Sequence, residues 1–344
     1  MRRIKIAQIG AGHDHATAAI QTLKLQSDIY ELVGFAVVPE DSGNLPQFSY
    51  EGNKGEYEGV SQLTVDEILN YPGLDAVCIE TEDRALTKYA LLTAERGLHI
   101  HMDKPGGASD GAYDRLIDTV MEKNLVFHTG YMYRYNPAVI QLKEDIAAGK
   151  LGDIISVEAQ MNCTHGLEKR NWLGNYKGGM LYYLGCHLID LVYSIMGEPE
   201  NVIPLSVSSG YMGTNAEDFG MAVFKYKNGV SFAKSTAVEM GGFERRQLVV
   251  CGTKGTVELK PFEWVGGECP GVFAPLTTGV REAYSENWHE RGAYHDTAVY
   301  GRYDAMFRSF AAYVNKEKEN PYDYEYERKL HKLILKACGG ENQE

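Results

Sequence analysis

Two side chains of this 344-residue chain are suited to moving a proton, Lys104 and His187. Imidazole has an unperturbed pKa near neutrality, so His187 is the better proton acceptor. A lysine ammonium can hydrogen-bond a reacting oxygen, and partial burial lowers its pKa toward useful values. Tyr183 lies four residues before His187, on the same face of a predicted helix, where its phenol can relay or donate a proton. The alternatives are a surface lysine before a turn and a buried core histidine.

A glycine-rich turn near the N-terminus predicts an anion site. An apolar strand pattern begins at Ile4 and runs into the sequence GAGHDHA, which starts at Gly10. Gly10 permits a tight turn, and Gly12 has no Cβ, so a pyrophosphate can approach the main chain at a helix N-terminus. The dinucleotide-binding pattern G-x-G-x-x-G has its third glycine where this chain has His15. An ordinary turn between a strand and a helix is the alternative.

The ends of the neighbouring strands are expected to complete a cofactor site. An acidic residue for the adenine ribose belongs at the end of the second strand, where Val38 is followed by Glu40. No arginine follows to receive a 2′-phosphate, so the sequence favours NAD over NADP. The predicted cofactor-binding residues are Gly10, Gly12, His13, Asp14, His15, Val38, Glu40, Thr81, Glu82, Asp103 and Lys104.

The elements that position these residues alternate between strand and helix patterns over residues 1–128. After the N-terminal strand, the strand patterns are Glu31–Val38, Asp75–Thr81, Leu98–Met102 and Leu125–Thr129. Repeated βα units predict a doubly wound parallel sheet with ligands at the carboxyl ends of its strands. Residues 41–59 are predicted to form a loop.

Residues 129–344 are predicted to form a second α/β domain with an open, mostly antiparallel sheet. Asn136-Pro137 begins a predicted helix, and Asn228-Gly229 is a strong hairpin signal. The segment 261–300 has no clear period and is interpreted as irregular. Two C-terminal helical patterns, 304–315 and 325–338, either complete this domain or pack back on the first.

Composition and charge narrow the class of protein. The net charge of −13 is the opposite of the basic surface that nucleic acid or an anionic membrane requires. The six cysteines form no C-x-x-C pair, and no apolar run approaches the roughly 20 residues that span a bilayer. We therefore expect a cytoplasmic protein. His99 and His101 form an H-x-H half-site, but no further spacing completes a ligand set, so no metal site is predicted.

Three runs of residues resemble motifs of the glucose–fructose oxidoreductase, inositol dehydrogenase and rhizopine-catabolism (Gfo/Idh/MocA) family. Met102–Pro105 (MDKP) is similar to the E-K-P motif of that family. The run GYMYRYNP from Gly130, followed by LGDI from Leu151, is also similar, as is KGGMLYYLGCHLID from Lys177. The resemblance implies a Rossmann domain, a second domain with an open antiparallel sheet, and a nicotinamide-dependent enzyme of sugars, cyclitols or related alcohols.

The resemblance also implies roles for individual residues. Lys104 and His187 are expected to act on one substrate oxygen, and Tyr183 stands where the family usually has aspartate. Because a phenol stays protonated near neutral pH, it cannot supply the negative charge that would raise the pKa of the histidine. Aromatic rings stack on sugars, and polar side chains bind their hydroxyls. The predicted substrate-binding residues are Arg134, Tyr135, Asn136, Arg170, Trp172 and His289.

Three functions remain open at this point. The first is an NAD-dependent dehydrogenase that oxidises a ring hydroxyl of a sugar, glycoside or cyclitol. The second is a glycoside-processing enzyme that performs elimination, epimerisation or cleavage with a tightly bound, recycled NAD. The third is a non-catalytic dinucleotide sensor. A homodimer or homotetramer is expected, because the antiparallel sheet has two faces to cover.

Overall fold

The computed structural model describes residues 2–265 and 275–340, which divide into two compact units. The first unit contains residues 2–131 together with Tyr303–His331. The second contains Met132–Arg302 and residues 332–340. Residues 303–331 thus belong to the first unit although they follow the second in sequence, which agrees with the alternative that the C-terminal helices pack back on the first domain.

A five-stranded parallel sheet forms the centre of the first unit, in the order β2-β1-β3-β4-β5. Its strands are β1 (Ile4–Ile9), β2 (Tyr30–Ala36), β3 (Ala76–Ile79), β4 (His99–Met102) and β5 (Phe127–Thr129). Its helices are α1 (Ala16–Leu25), α2 (Val65–Leu69), α3 (Leu86–Glu95) and α4 (Asp110–Glu122). β3 is fully buried, as a central parallel strand covered on both faces should be. The predicted doubly wound sheet is confirmed.

A single isolated bridge extends the sheet beyond the outer edge of β2. Gln62 forms an isolated parallel bridge with Phe35, whose N–H and C=O bond to Ser61 O and Leu63 N. The segment around Gln62 therefore lies where the Rossmann order places its third strand, and here that strand is reduced to one bridge. The predicted loop at 41–59 holds only short 3₁₀ turns, and Tyr57 from it packs on Phe35 at 4.6 Å between ring centroids.

The second unit is built on an eight-stranded sheet in the order β13-β12-β11-β10-β6-β9-β8-β7. Its strands are β6 (Ile154–Asn162), β7 (Asn201–Pro204), β8 (Phe219–Tyr226), β9 (Gly229–Thr236), β10 (Gln247–Gly252), β11 (Thr256–Leu259), β12 (Gly279–Ala283) and β13 (Ala293–Asp296). Every neighbouring pair is antiparallel except β6 and β9, so the predicted mostly antiparallel sheet is confirmed.

Two local predictions for this sheet had different outcomes. The hairpin signal at Asn228-Gly229 is confirmed, since β8 and β9 pair from Tyr226 and Gly229 across a two-residue turn. The irregular interpretation of 261–300 is wrong in part, because β12 and β13 lie within it. Both strands pair at the edge of the sheet, where β13 is exposed along its whole length and carries no apolar alternation. Residues 266–274 of this segment, including Cys269, lie outside the described part of the chain.

The remaining helices are α5 (Pro137–Ala147), α6 (Leu167–Trp172), α7 (Met180–Tyr183), α8 (Cys186–Met196), α9 (Asp304–Val314) and α10 (Tyr324–Ala337). Asn136 caps α5 as predicted, its Oδ1 accepting from Ala138 N at 2.8 Å. In the described ranges, 2–265 and 275–340, none of the helices has the length and apolar character needed to cross a membrane.

The single helix predicted to carry Tyr183 and His187 is interrupted, which corrects the same-face argument. Tyr183 is the last residue of α7, and His187 is the second residue of α8. At the break, Gly185 N donates to Met180 O, five residues back, instead of continuing the i−4 pattern. A Cβ on Gly185 would stand 2.6 Å from Leu181 O, so this arrangement requires glycine.

Candidate active site

The glycine turn closes tightly on the neighbouring strand end. Gly10 has φ +97°, and a Cβ there would stand 2.4 Å from Thr81 N. The N–H of Gly10 donates to Ala36 O, which ties the turn to the end of β2. The predicted role of Gly10 as the residue that permits a tight turn therefore matches the geometry.

The acidic residue that reaches this turn is Asp41, whereas Glu40 was predicted. The Asp41 carboxylate accepts Ala11 N–H at 2.8 Å and Glu82 N–H at 2.9 Å. Val38 N approaches the same carboxylate at 3.4 Å. Glu40 instead binds Lys88 and Tyr89 on α3, because the 3₁₀ turn after β2 rotates the two consecutive acids to opposite sides. Burial raises the pKa of Asp41, and the backbone N–H groups oppose that shift.

The turn fits the adenosine end of a dinucleotide. A buried carboxylate fixed beside Gly12 is the group that binds ribose hydroxyls in this fold. The N–H groups of Gly12 and His13 both donate to Glu80 O, at 3.1 and 3.0 Å. A pyrophosphate at this turn would therefore meet the start of α1 and nearby side chains, and not those two N–H groups.

Lys104 is buried at the carboxyl end of β4, directly beside the glycine turn. Its side chain is 1% exposed, and Nζ lies 3.3 Å from Asp14 Oδ1. The backbone N–H of Lys104 donates to Asp103 Oδ1 at 2.6 Å, and its backbone carbonyl oxygen lies 2.9 Å from His13 Nε2. The structure thus brings Lys104, Asp103, His13 and Asp14 together, and the surface-lysine alternative does not match this burial.

His15 and Thr81 occupy the rim of the same region. His15 Nδ1 lies 3.1 Å from Asp103 Oδ2, and its ring meets Tyr303 edge-on at 5.7 Å. Thr81 is fully buried, while the carboxylate of Glu82 accepts from Arg84 Nε at 2.8 Å. His15 therefore replaces the third glycine of the pattern with a side chain that binds the acid preceding Lys104.

In the second unit, His187 is buried against Tyr133. Its ring meets the Tyr133 ring edge-on at 4.9 Å, and Tyr133 Oη donates to Glu263 Oε2 at 2.9 Å. Burial, together with the charge of Glu263, raises the pKa of Tyr133 far above its ordinary value. Tyr133 therefore stays protonated and fixes one face of the His187 environment.

Tyr183 is held by a cation that the sequence interpretation did not single out. Lys169 Nζ donates to Tyr183 Oη at 3.1 Å, and it also lies 4.9 Å from the centroid of that ring. Trp172 packs edge-on against the other side of the phenol, with 5.4 Å between centroids. Lys169, Tyr183 and Trp172 thus form one group around α6 and α7. The sequence feature that could have identified Lys169 is its position three residues before Trp172 on the short helix α6.

Several predicted substrate contacts have structural partners instead. Arg134 donates from Nε and Nη2 to Asp190 at 2.8–3.1 Å, with both side chains buried. Asn136 caps α5 and donates from Nδ2 to Thr278 and Tyr300. Each group would have to give up a buried bond to reach a substrate, which is costly. Both side chains therefore have positioning roles in the described structure, and their contact with a substrate stays a prediction.

The remaining predicted contacts are divided between the interior and the surface. Arg170 is 1% exposed and binds Asp218 Oδ2 at 3.3 Å and Tyr211 O at 2.8 Å, so it too is structural. His289 is exposed and packs on Trp288 at 4.0 Å between centroids. Tyr135 is half-buried in the turn before α5. His289 and Tyr135 remain predictions as substrate contacts.

The parallel sheet with its glycine turn and the mostly antiparallel second sheet define a two-unit α/β protein of the Rossmann class. Residues 139–258 match the family model of the GFO/IDH/MocA C-terminal domain. This match covers about a third of the chain, and for residues 139–258 it confirms the resemblance to the Gfo/Idh/MocA family seen in the motifs.

The chain is also similar to named dehydrogenases. It is 27% identical over 140 residues to an uncharacterized oxidoreductase of Schizosaccharomyces pombe, covering 40% of this chain and 38% of that protein. It is 26% identical over 200 residues to trans-1,2-dihydrobenzene-1,2-diol dehydrogenase of Bos taurus, covering 56% and 57%. With D-xylose 1-dehydrogenase (NADP(+)) 2 of Haloferax volcanii it shares 23% over 198 residues, covering 57% and 59%. The matched segments thus span less than two thirds of each relative.

Among solved structures, the aldose-aldose oxidoreductase of Caulobacter crescentus has the same fold. Its TM-score to this chain is 0.76 at 17% identity, and the match covers 98% of both chains. The likeness extends over both units, and it concerns the fold alone.

Proposed function

We propose that this chain is a nicotinamide-dependent oxidoreductase that oxidises a hydroxyl-bearing carbon of a sugar, glycoside or cyclitol. The observation that carries the proposal is the buried Lys104 beside the glycine turn, with Asp14 on its ammonium and Asp103 on its N–H. The match of residues 139–258 to the GFO/IDH/MocA C-terminal domain and the relatives named as sugar and diol dehydrogenases support it.

The bound dinucleotide would supply the hydride acceptor. Lys104 donates a hydrogen bond to the reacting hydroxyl oxygen and stabilises the negative charge that develops there. His187 takes the hydroxyl proton, because imidazole is the side chain with a suitable unperturbed pKa. Asp14 keeps the ammonium oriented, and Tyr133 keeps the imidazole ring in place.

The cofactor in this proposal is NAD. The carboxylate of Asp41 beside Gly12 would accept hydrogen bonds from the ribose hydroxyls and repel a 2′-phosphate. The D-xylose dehydrogenase of Haloferax volcanii is named for NADP(+), so the preference is a property to be measured in this chain. The protein would act in the cytoplasm on a small carbohydrate as a homodimer or homotetramer, for which light scattering at micromolar concentration is the test.

The deciding experiment measures cofactor and turnover separately. The purified protein is titrated with NAD and NADP, and reduced nicotinamide is then followed by its near-ultraviolet absorbance with a panel of sugars and cyclitols. We expect NAD to bind, and Lys104→Met to lower turnover by roughly a hundredfold, the scale of a lost acid–base group. The matched control is Lys225→Met, which changes an exposed lysine of β8.

Three outcomes separate the functions. Cofactor that exchanges freely and is reduced by a polyol supports the dehydrogenase. Reduced or oxidised nicotinamide that copurifies and turns over without net reduction supports the redox-neutral glycoside-processing enzyme. Tight binding with no turnover on any polyol, in wild type as in Lys104→Met, would overturn the proposal in favour of a dinucleotide sensor.

A further inference from the structure

Three polar side chains converge at the carboxyl edge of the first sheet, each from a different strand end. They are His13 after β1, Glu80 after β3 and Asp103 after β4. His13 Nδ1 lies 3.5 Å from Asp103 Oδ2 and 3.7 Å from Glu80 Oε2, and one atom of each residue lies within 4.8 Å of the others. All three side chains are buried.

Glu80 presents an oxygen that the protein does not bind. Cys78 Sγ donates to Oε1 at 3.3 Å, which occupies one side of the carboxylate. Oε2 is buried and receives no hydrogen bond from a donor among the residues that the structure describes; it faces His13 Nδ1, and the carboxylate also meets that of Asp103. A buried polar atom left without a hydrogen bond costs free energy, so this oxygen points to something that binds it.

The contacts of His13 fix which of its nitrogens carries the lone pair. Nε2 lies 2.9 Å from Lys104 O, and a carbonyl oxygen only accepts, so Nε2 carries the hydrogen. Nδ1 carries the lone pair: His15 N–H donates to it at 3.2 Å, and the carboxylates of Asp14, Asp103 and Glu80 surround it at 3.1, 3.5 and 3.7 Å. Imidazoles that ligate metals are commonly held in this way, with the other ring N–H donated to a backbone carbonyl.

The local charge requires a cation or a proton. Four carboxylates, those of Asp14, Glu80, Asp83 and Asp103, lie within 3.8 Å of the His13 ring, and the basic side chains beside them are Lys104 and His15. Carboxylates gathered in a dry site are stable only when a proton or a bound cation neutralises them.

We propose that His13 Nδ1, Glu80 Oε2 and Asp103 Oδ2 bind a divalent first-row transition metal ion. One imidazole and two carboxylates form a ligand set for such ions, and three protein ligands leave positions open for water or substrate. At metal–ligand distances of about 2.1 Å, neighbouring ligand atoms stand about 3.0–3.5 Å apart, close to the 3.5 and 3.7 Å seen here. Small side-chain rotations close the difference.

Partly exposed side chains adjoin the triad, and two of its members, His13 and Asp103, are also predicted cofactor-binding residues, so the test of metal binding omits the dinucleotide. Asp14 and His15 keep 13% and 12% of their side chains exposed, and they form a second candidate group with His13. The sequence predicted no metal site because these ligands are 67 and 23 residues apart and follow no known spacing.

The experiment titrates chelator-treated full-length protein with Mn²⁺. Binding is followed by isothermal calorimetry and by the loss of the free-ion Mn²⁺ resonance signal, without substrate or dinucleotide. We expect one ion per chain, and a rise in the thermal unfolding midpoint that depends on Mn²⁺ concentration. Glu80→Gln keeps the shape of the side chain and removes its charge, and it should weaken binding at least tenfold.

His13→Asn is the second variant, expected to weaken binding equally, and its circular dichroism must match that of the wild type. Glu58→Gln, at an exposed position, is the matched control and should bind as the wild type does. Wild type that binds no Mn²⁺, or folded Glu80→Gln that binds it with unchanged affinity, would overturn the proposal. A Glu80→Gln protein that is more stable and a wild type indifferent to Mn²⁺ would show that a shared proton occupies the site instead.

Discussion

The carboxylate of Asp41 occupies the space that a side chain on residue 12 would take. A Cβ on Gly12 would stand 2.3 Å from Asp41 Oδ1 and 3.0 Å from Glu82 N. The glycine is therefore required by a protein group already in the native turn, in addition to any ligand. This relationship couples the first and second strand ends of the sheet.

Gly12→Ala should displace Asp41 from the turn. Its hydrogen bonds with Ala11 and Glu82 would be lost, leaving buried N–H groups unpaired at a cost of about 1–3 kcal/mol in the free energy of unfolding. Denaturant unfolding measures this change, and NAD titration should show weaker binding in the folded variant. Gly55→Ala, where a Cβ meets no atom within 4 Å, is the control. Unchanged stability and affinity would contradict the coupling.

Asp41→Asn should lower the affinity for NAD and reduce the preference over NADP, because the charge beside the ribose is removed. Since burial raises the pKa of Asp41, the carboxylate is protonated as the pH falls toward that raised value. Wild-type affinity for NAD should therefore fall at acidic pH, while Asp41→Asn shows a flatter profile. Glu40→Gln should leave the preference unchanged, because Glu40 is bound to Lys88 and Tyr89.

His187→Phe should lower turnover by roughly a hundredfold, since the ring remains and the proton acceptor is lost. Phe is preferred to Ala in this test because an aromatic ring at position 187 can keep the edge-on packing against Tyr133. Cofactor affinity should be retained, because His187 belongs to the second unit and the glycine turn to the first. His295→Phe, at an exposed position in β13, is the matched control. Turnover within a few-fold of wild type would return His187 to a packing role.

Tyr183→Phe tests whether the phenol relays a proton. Its oxygen accepts from Lys169 Nζ, so the variant removes this bond and keeps the packing against Trp172. We expect lower turnover and a shifted pH–rate profile, and we expect Lys169→Met to shift the profile in the same way. If both variants keep the wild-type rate and profile, the group serves only to pack α6 against α7.

Arg134→Met should destabilise the protein by about 3–5 kcal/mol, because Asp190 is left buried without its countercharge. The double variant Arg134→Met/Asp190→Leu should recover much of this loss, since it leaves no buried charge. Chemical denaturation of the three proteins measures both effects. A double variant no more stable than Arg134→Met would show that the pair does more than compensate charge.

The fold was predictable because its signals are local. Alternating apolar runs and helical periods mark β1 to β5, and Asn228-Gly229 marks the hairpin between β8 and β9. β13 was missed because an edge strand needs no buried face, and all four of its residues are exposed. β12 was missed because only its first two residues are buried, so it shows no alternation. Apolar periodicity reports which residues are buried, so it does not reveal a strand that is held by backbone pairing alone.

The candidate site was only partly predictable from the sequence. Lys104 and the glycine turn carry motifs, whereas the choice between Glu40 and Asp41 depends on a 3₁₀ turn that no periodicity reveals. Arg134 was predicted to bind a substrate because a sequence motif identifies a position and does not identify the residues that contact it. Its partner Asp190 lies 56 residues away in the sequence. Lys169 was missed for the same reason, since its contact with Tyr183 exists only after α6 and α7 pack.

The ion pair of Arg134 and Asp190 also bears on how the second unit folds. It joins the turn before α5 to the helix that carries His187, across a loop of 56 positions. Closing a loop of that length costs conformational entropy, and this cost arises before the ion pair can stabilise the fold. We therefore expect the surroundings of His187 to form late in folding, after the local helices and hairpins. Chains that have only their helices and hairpins in place would still lack an ordered imidazole.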